Sequence, residues 1–475
     1  MSAVDVVARG VAVRARSAVA AGSRHGRLLR AADAAEGRNP VVLPPWLAPP
    51  AYAASTSYNV GQVVTNGGFW FMCGLAGTTP ATGGGPLVTN SGQYVADGGS
   101  GVYWTCLGGA RAPDQGDGAP TVSIVTASPS IGPNWQPETY PAAYAVRGAA
   151  PSPYRSTFWS LGTFDAKLGT VMSAGASVVF ESDADRLALF LPANSAQVRV
   201  IVGGRYLMPG SHVVGGNDQW MVIDWTGSTG RRLRRYELET GKSASFFGCA
   251  QVPVTSTVSA AGAGTPRMVV IGDSYNAGSS YGPWLAGGSI AQLLGKRLGW
   301  RDTWNLSIGG TGYLNPSATG FFTFRQRVPQ ALALAPDVLL LMGSTNDVDH
   351  PPAALQAEVL QTMRAIRAGT PAPIIVVGVP SINVAGAVAA EGAVQAGVAQ
   401  SGDPLAFFVP ICGASPPWVL GSWNNGGGAV PSGTVNGGLY VAADNVHPPE
   451  IGFDYYAQRI EQAIRAKVLP VLAGA

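Results

Sequence analysis

From Arg267 onward the apolar residues fall into continuous runs: RMVVIG (Arg267–Gly272), DVLLLMG (Asp337–Gly343), PIIVVGVP (Pro373–Pro380) and LAFFVP (Leu405–Pro410). Runs with no polar alternation suit strands buried on both faces of a parallel sheet. Between them, Leu355, Val359, Met363 and Ile366 recur at helical spacing and stop before Gly369 and Pro371. Phe453, Tyr456, Ile460, Ile464 and Val468 repeat that spacing near the C-terminus. Strand and helix in alternation predict an α/β domain over residues 264–475, doubly wound, with helices on both faces of the sheet.

The preceding segment, 111–263, reads differently. RLALFLP (Arg186–Pro192), QVRVIVGGRYL (Gln197–Leu207) and QWMVIDWTG (Gln219–Gly227) are short strand patterns separated by Gly, Asn and Asp turns. The spacing predicts a β-sandwich, with the first two runs as a hairpin or meander. RRLRRYEL (Arg231–Leu238) alternates poorly, and its four arginines predict a solvated edge strand. Residues 43–110 form a small aromatic module, in which an Asn66-Gly67 turn between Val63/Val64 and Phe69/Phe71 signals a hairpin. Phe69, Phe71 and Trp104 are expected in its core. Residues 1–42 carry Val4, Val7, Val11 and Ala15 on one helical stripe and are expected to be a helical or disordered arm.

Composition narrows the class. Charged residues are only 12% and apolar residues 46%, the reverse of a disordered chain. The 64 Gly and 36 Pro show no three-residue period, so a collagen-like fibre is excluded. No apolar stretch is long enough for a transmembrane helix. The net charge of +3 is too small for a dedicated nucleic-acid binder, and the excess sits in residues 1–40, which hold seven Arg against three acidic residues. Arg9, Arg14 and Arg16 interrupt every stretch that would serve as a signal-peptide core. Cys73, Cys106, Cys249 and Cys412 lack metal-ligand spacing, so no zinc site is expected, although Cys73 and Cys106 share one module and are a candidate pair.

Ligands of an open α/β sheet sit beyond the carboxyl ends of its strands. Four polar blocks lie there or on the loop before the last helix. They are Gly272-Asp273-Ser274-Tyr275, Asn305 to Tyr313 (NLSIGGTGY), Gly343 to Asp347 (GSTND) and Asp444-Asn445-Val446-His447-Pro448. A serine is a weak nucleophile until a base takes its proton. Imidazoles exchange protons near neutral pH, so His447 is the candidate base, and Asp444 on the same loop can orient it. His350, in a second D-x-x-H-P-P stretch, is the rival base, more simply placed on the cleft rim. Asp273 and Asp347 are expected to bond loops rather than react. His25 and His212 are expected at the surface.

In this order, the four blocks resemble those of the SGNH (GDSL-like) hydrolase family over about 210 residues. The resemblance implies a flavodoxin-like catalytic domain and a Ser274–His447–Asp444 triad that needs no metal or organic cofactor. It assigns the oxyanion donors to the Ser274 N–H, the Gly310 N–H and the Asn346 side-chain amide. The 43–110 module loosely resembles small carbohydrate-binding modules also found on phage tail and fibre proteins, with Trp70 and Tyr103 as its sugar platform. The sandwich resembles the jelly-roll domain that precedes the catalytic domain in some carbohydrate O-acetyl esterases. Tyr313 and Trp284 are further candidates to face a sugar, or else pack the cleft. The Gly/Pro/Trp segment from Pro410 to Tyr440 reads as a lid, with Trp418 and Trp423 over substrate.

The expectation is therefore a serine esterase removing O-acetyl groups from a cell-surface polysaccharide. Its partners would be the acetylated polymer and, through residues 1–42, other proteins of a virion or phage-like particle. Homo-oligomerisation stays open, and neither nucleic acid nor membrane insertion is expected. A secreted location is the alternative to a particle surface. Two other readings remain: a non-catalytic receptor-binding spike on a hydrolase fold, and a lipase-like esterase, which would prefer a broader apolar lid.

Overall fold

The computed structural model describes residues 23–36, 49–87, 94–97, 101–109, 118–162, 175–193, 197–241, 245–261, 264–317, 322–380, 383–421 and 436–474. Val4, Val7, Val11, Ala15 and Trp423 lie outside them. No described helix is long and apolar enough to cross a membrane.

The C-terminal half, the α/β domain expected to be catalytic, is built on a five-stranded parallel sheet in the order Asp302–Asn305, Arg267–Gly272, Val338–Met342, Ile374–Val377, Ala406–Val409. Three of the continuous apolar runs are buried on both faces, the fourth forming the half-buried edge strand, and alternate residues serve opposite cores. Met268, Val270 and Leu340 face the helices Ile290–Arg297 and Glu450–Ala463. Val269, Ile271 and Leu339 face the helices Pro352–Gly369 and Ala387–Gln400. The first strand in sequence lies inside the sheet, so its carboxyl end opens onto a crevice flanked by the second and third strands.

Upstream, a five-stranded and a seven-stranded antiparallel sheet share one apolar layer. Leu187, Leu189 and Leu191 point into it, whereas Ala188 and Phe190 point outward against Phe158 and Trp220. Two expectations change here. Arg186–Leu191 and Gln197–Val202 do not pair as a hairpin. The former pairs with Gln219–Asp224 in one sheet and the latter with Arg234–Thr240 in the other. The arginine-rich run is no edge either, because Arg234–Thr240 lies between Gln197–Val202 and Ser177–Ser182. Its charges are absorbed by packing: Arg234 stacks 4.0 Å from the Trp225 ring and donates to Gly230 O, while Arg231 pairs with Asp183.

In the small module a four-stranded antiparallel sheet runs Val63–Asn66, Phe69–Leu75, Tyr103–Gly109, Tyr94–Ala96. The hairpin forms with Asn66 opposite Phe69, so the turn residues are Gly67 and Gly68, both at positive φ, as a type I′ turn demands. Phe71 and Trp104 are fully buried and Phe69 partly so. Cys73 opposes Trp104 and Cys106 opposes Phe71, two residues out of register, and both remain buried thiols rather than a disulfide.

The module is docked, not tethered. Tyr103 is 2% exposed and lies in the apolar cluster of the catalytic domain. Trp70 packs with Ile201 and Tyr206 of the sandwich and Leu285 of the catalytic domain. Tyr103 thus offers no sugar platform, and Trp70 is half-buried at the junction with the two other domains. Of the N-terminal arm, Arg24–Ala35 is a helix whose Leu28, Leu29 and Ala32 enter the catalytic core. Trp300 Nε1 donates to Leu28 O and Arg27 pairs with Asp337. This part of the arm is spent on its own chain, not on a solvated tail.

Candidate active site

Strand Arg267–Gly272 delivers its last residue into a crowded place. A Cβ on Gly272 would lie 2.7 Å from Met342 O and 2.8 Å from both Asn276 Nδ2 and Ser307 Oγ, so only glycine fits. Asp273 follows as the cap of a one-turn helix, Ser274–Ala277, its Oδ1 accepting the Tyr275 N–H at 3.0 Å. Ser274 is thus the first helical residue, partly exposed, with an N–H that no turn of the helix can use.

The loop before the last helix folds around Asp444. Oδ1 accepts the N–H groups of Val446 and His447, each at 3.0 Å, and Oδ2 lies 2.6 Å from His447 Nδ1. A carboxylate cannot donate, so Nδ1 carries the ring proton and Nε2 accepts from Ser274 Oγ at 2.7 Å. Burial works against the Asp444 charge. The His447 ring and the two N–H groups outweigh it and hold the carboxyl below its usual range. Tyr275 donates its hydroxyl to Val446 O, tying the residue after the nucleophile to the residue before the base.

The structure also gathers the second and third blocks. The loop at Gly309 passes the serine, its would-be Cβ 3.7 Å from Ser274 Cβ, and Gly310 adopts a positive φ of 77°. Asn346 Nδ2 donates to Thr311 O at 2.9 Å, and its second N–H stays available to a ligand. Among the described residues, neither the Ser274 nor the Gly310 N–H finds a protein acceptor. Asp347, fully buried, takes the N–H groups of Tyr313, Leu314 and Asn315 and the Ser344 hydroxyl, so it bonds the second block more than its own loop.

Other expected residues fall elsewhere. Tyr313 is buried beside Phe324, its ring unable to meet a sugar. Trp418 is buried with the Arg459 guanidinium over its ring, so it is core rather than a lid. His350 is exposed, and its N–H closes a turn on Asp347 O, while the Ser274 hydroxyl donates to His447. His212 bonds Gln219. Trp284 is 44% exposed beside a cleft of about 210 Å³ that Leu75, Tyr281, Val441 and Ala443 also line. Among the described residues no cluster of His, Cys, Asp or Glu could hold a metal ion.

Beneath the serine lie two buried ionisable side chains, Asp273 of the first block and Arg327, which no motif announced. Asp273 is fully buried, and burial, with repulsion from Asp347, pushes its carboxyl up to about 7 despite the Tyr275 N–H and the Arg327 charge. Arg327 is 1% exposed. Nothing in the run RQRVPQ distinguishes it from Arg325, which sits at the surface against Glu358.

No curated protein matches the chain in sequence. Among solved structures it is similar to a family two carbohydrate esterase from Cellvibrio japonicus, at 14% identity and a TM-score of 0.50, covering 73% of this chain and 98% of that one. It is equally similar to the salicylyl-acyltransferase SsfX3 from a tetracycline biosynthetic pathway, at 16% identity and a TM-score of 0.50, covering 71% and 99%. At such identities the likeness is one of fold alone. The sequence match is to the part that holds the hydrogen-bonded serine: residues 270–452 match the GDSL-like lipase/acylhydrolase family.

Proposed function

We propose that the protein is a serine esterase that removes O-acetyl groups from a polysaccharide. The observation that carries this reading is the continuous line Asp444 Oδ2–His447–Ser274 Oγ, with contacts of 2.6 and 2.7 Å. As Ser274 Oγ attacks the ester carbonyl, its proton passes to His447 Nε2, and Asp444 steadies the resulting imidazolium. The Ser274 N–H, Gly310 N–H and Asn346 amide receive the oxyanion. Collapse of the tetrahedral adduct breaks the bond to the sugar oxygen, which takes the proton from His447. Water then enters, loses a proton to His447 as it attacks the acyl carbon, and acetate leaves as His447 returns that proton to Ser274 Oγ. The resemblance of the four blocks and the carbohydrate-esterase fold support a carbohydrate ester as substrate. Trp284, on the loop after the nucleophile, is the ring we place against the sugar.

Free acetate released from acetylated xylan, with p-nitrophenyl acetate as a small reference ester, tests the reading. The wild-type protein should release acetate from both, and Ser274→Ala should lose at least about 10³-fold in kcat with unchanged melting. A wild type inactive on every acetyl ester, or a Ser274→Ala variant that still turns over, refutes it.

A further inference from the structure

We infer that Arg327 is a positioning residue that sets the geometry of the oxyanion pocket around Ser274. The inference rests on the serine-esterase reading above and extends it to a residue outside the four blocks. One guanidinium, fully enclosed, reaches both segments that carry a backbone oxyanion donor and, through Thr311, the amide of Asn346. Nη1 donates to Gly272 O at 3.0 Å and to Leu306 O at 2.6 Å, and Nη2 donates to Thr311 Oγ1 at 2.8 Å.

Each acceptor bears on one part of the pocket. Gly272 ends the strand that presents Asp273 and Ser274, and its carbonyl also accepts the Ile308 N–H at 3.0 Å. Leu306 opens the loop that carries Gly310. Thr311 is the hub: it follows Gly310, its hydroxyl donates to Ile308 O at 2.7 Å, and its carbonyl holds the Asn346 amide at 2.9 Å. The backbone donors at 274 and 310 and the side-chain donor at 346 are therefore all referenced to one planar cation.

Arginine is the side chain this requires. Its fork presents several N–H groups at fixed angles, whereas an ammonium is a single point that cannot meet three acceptors set apart. Burial lowers the Arg327 guanidinium to about 9, and Asp273, the residue between Gly272 and the nucleophile, offsets part of this where its carboxyl is ionised. The acceptors are carbonyls at the ends of adjacent strands and a hydroxyl between them. Loosening them moves donors relative to one another without unmaking the sheet. Oxyanion donors act only on the developing negative charge, so an error in their placement is read in kcat rather than in substrate binding.

The test compares wild type, Arg327→Lys and Thr311→Val on p-nitrophenyl acetate, with melting temperatures and with the affinity of phenylboronic acid, which forms a tetrahedral anion on a reactive serine. Arg327→Lys should lose about 10²-fold in kcat with KM within about twofold, and should bind the boronate at least about tenfold more weakly. Thr311→Val, which keeps the arginine and removes one acceptor, should lose about tenfold in kcat at unchanged KM. A folded Arg327→Lys variant with wild-type kcat and boronate affinity overturns the inference. If Arg327→Lys does not fold, wild-type kcat in Thr311→Val overturns it just as well. A wild type that hydrolyses no ester overturns the esterase reading itself, and that failure is visible before any variant is made.

Discussion

The Glu239 carboxylate of the sandwich and the Lys296 ammonium of the catalytic domain meet at 2.6 Å, with side chains 4% and 7% exposed. Lys296 also donates to Tyr206 OH and Gly287 O, and beside it Arg301 and Arg147 converge on Glu237. The sandwich is thus bolted to the catalytic domain through buried charge, not merely strung before it. Burial works against the Lys296 charge, but Glu239 and Tyr206 outweigh it and hold the ammonium above its usual range.

Removing one member of such a pair strands the other in a dry interface. Lys296→Met should therefore destabilise the protein by about 3–5 kcal/mol. The double variant Lys296→Met/Glu239→Leu should regain most of the loss, because two apolar side chains leave no orphan charge. Urea unfolding of wild type, single and double variants checks it. A double variant no better than the single would mean that the loss is one of packing.

The choice between the two D-x-x-H-P-P histidines can be made kinetically. His447 bonds both Asp444 and Ser274, so His447→Ala should lose as much kcat as Ser274→Ala, since such groups act as a unit. Asp444→Ala should lose less. His350 is exposed and bonded only through its backbone, so His350→Ala should keep kcat within about twofold. Steady-state kinetics of the three variants on p-nitrophenyl acetate decide the matter, and a dead His350→Ala would reverse the assignment.

The N-terminal helix makes a separate claim. Gly299, at φ 67°, lets the helix come so close that a Cβ there would sit 2.4 Å from Ala31 O. With Leu28 and Leu29 at 0% and 1% exposure, the helix is part of the core it covers. Leu28→Ala should cost about 2–5 kcal/mol and lower the melting temperature of the catalytic domain. An unchanged melt would mean that the helix is dispensable.

How far the sequence could be read follows from how local each signal is. Continuous apolar runs declare burial on both faces within six residues, which is why the parallel sheet and its strand ends were legible. The triad was legible because its residues sit in short blocks at those ends. Charge was misread where its compensation is distant. Arg234 rests on Trp225, and Glu237 finds Arg301 some 60 residues on, so a run that looks like a solvated edge is a central strand. Tyr103 was misread because a module taken alone shows no trace of the domains that cover it. Arg327 is invisible for the same reason, since its partners are carbonyl and hydroxyl oxygens that every sequence possesses.

Asp273 gives the site a titration of its own. An aspartate in an unfolded chain releases its proton near pH 4, whereas burial holds the Asp273 proton until about pH 7. Between these values the folded protein binds more protons than the unfolded chain, so this group makes stability fall as pH rises from about 4 to about 7. Above pH 7 the penalty is complete, and below pH 4 it is absent. Asparagine mimics the protonated carboxyl and keeps an oxygen for the Tyr275 N–H, so the cap survives. Asp273→Asn should therefore melt close to wild type near pH 4 and above it at pH 7 and beyond, the gap opening mainly between about pH 4 and 7. Melting curves across that range measure the gap directly. Parallel curves for the two proteins would mean that Asp273 is ionised throughout, with the Arg327 charge strong enough to offset its burial.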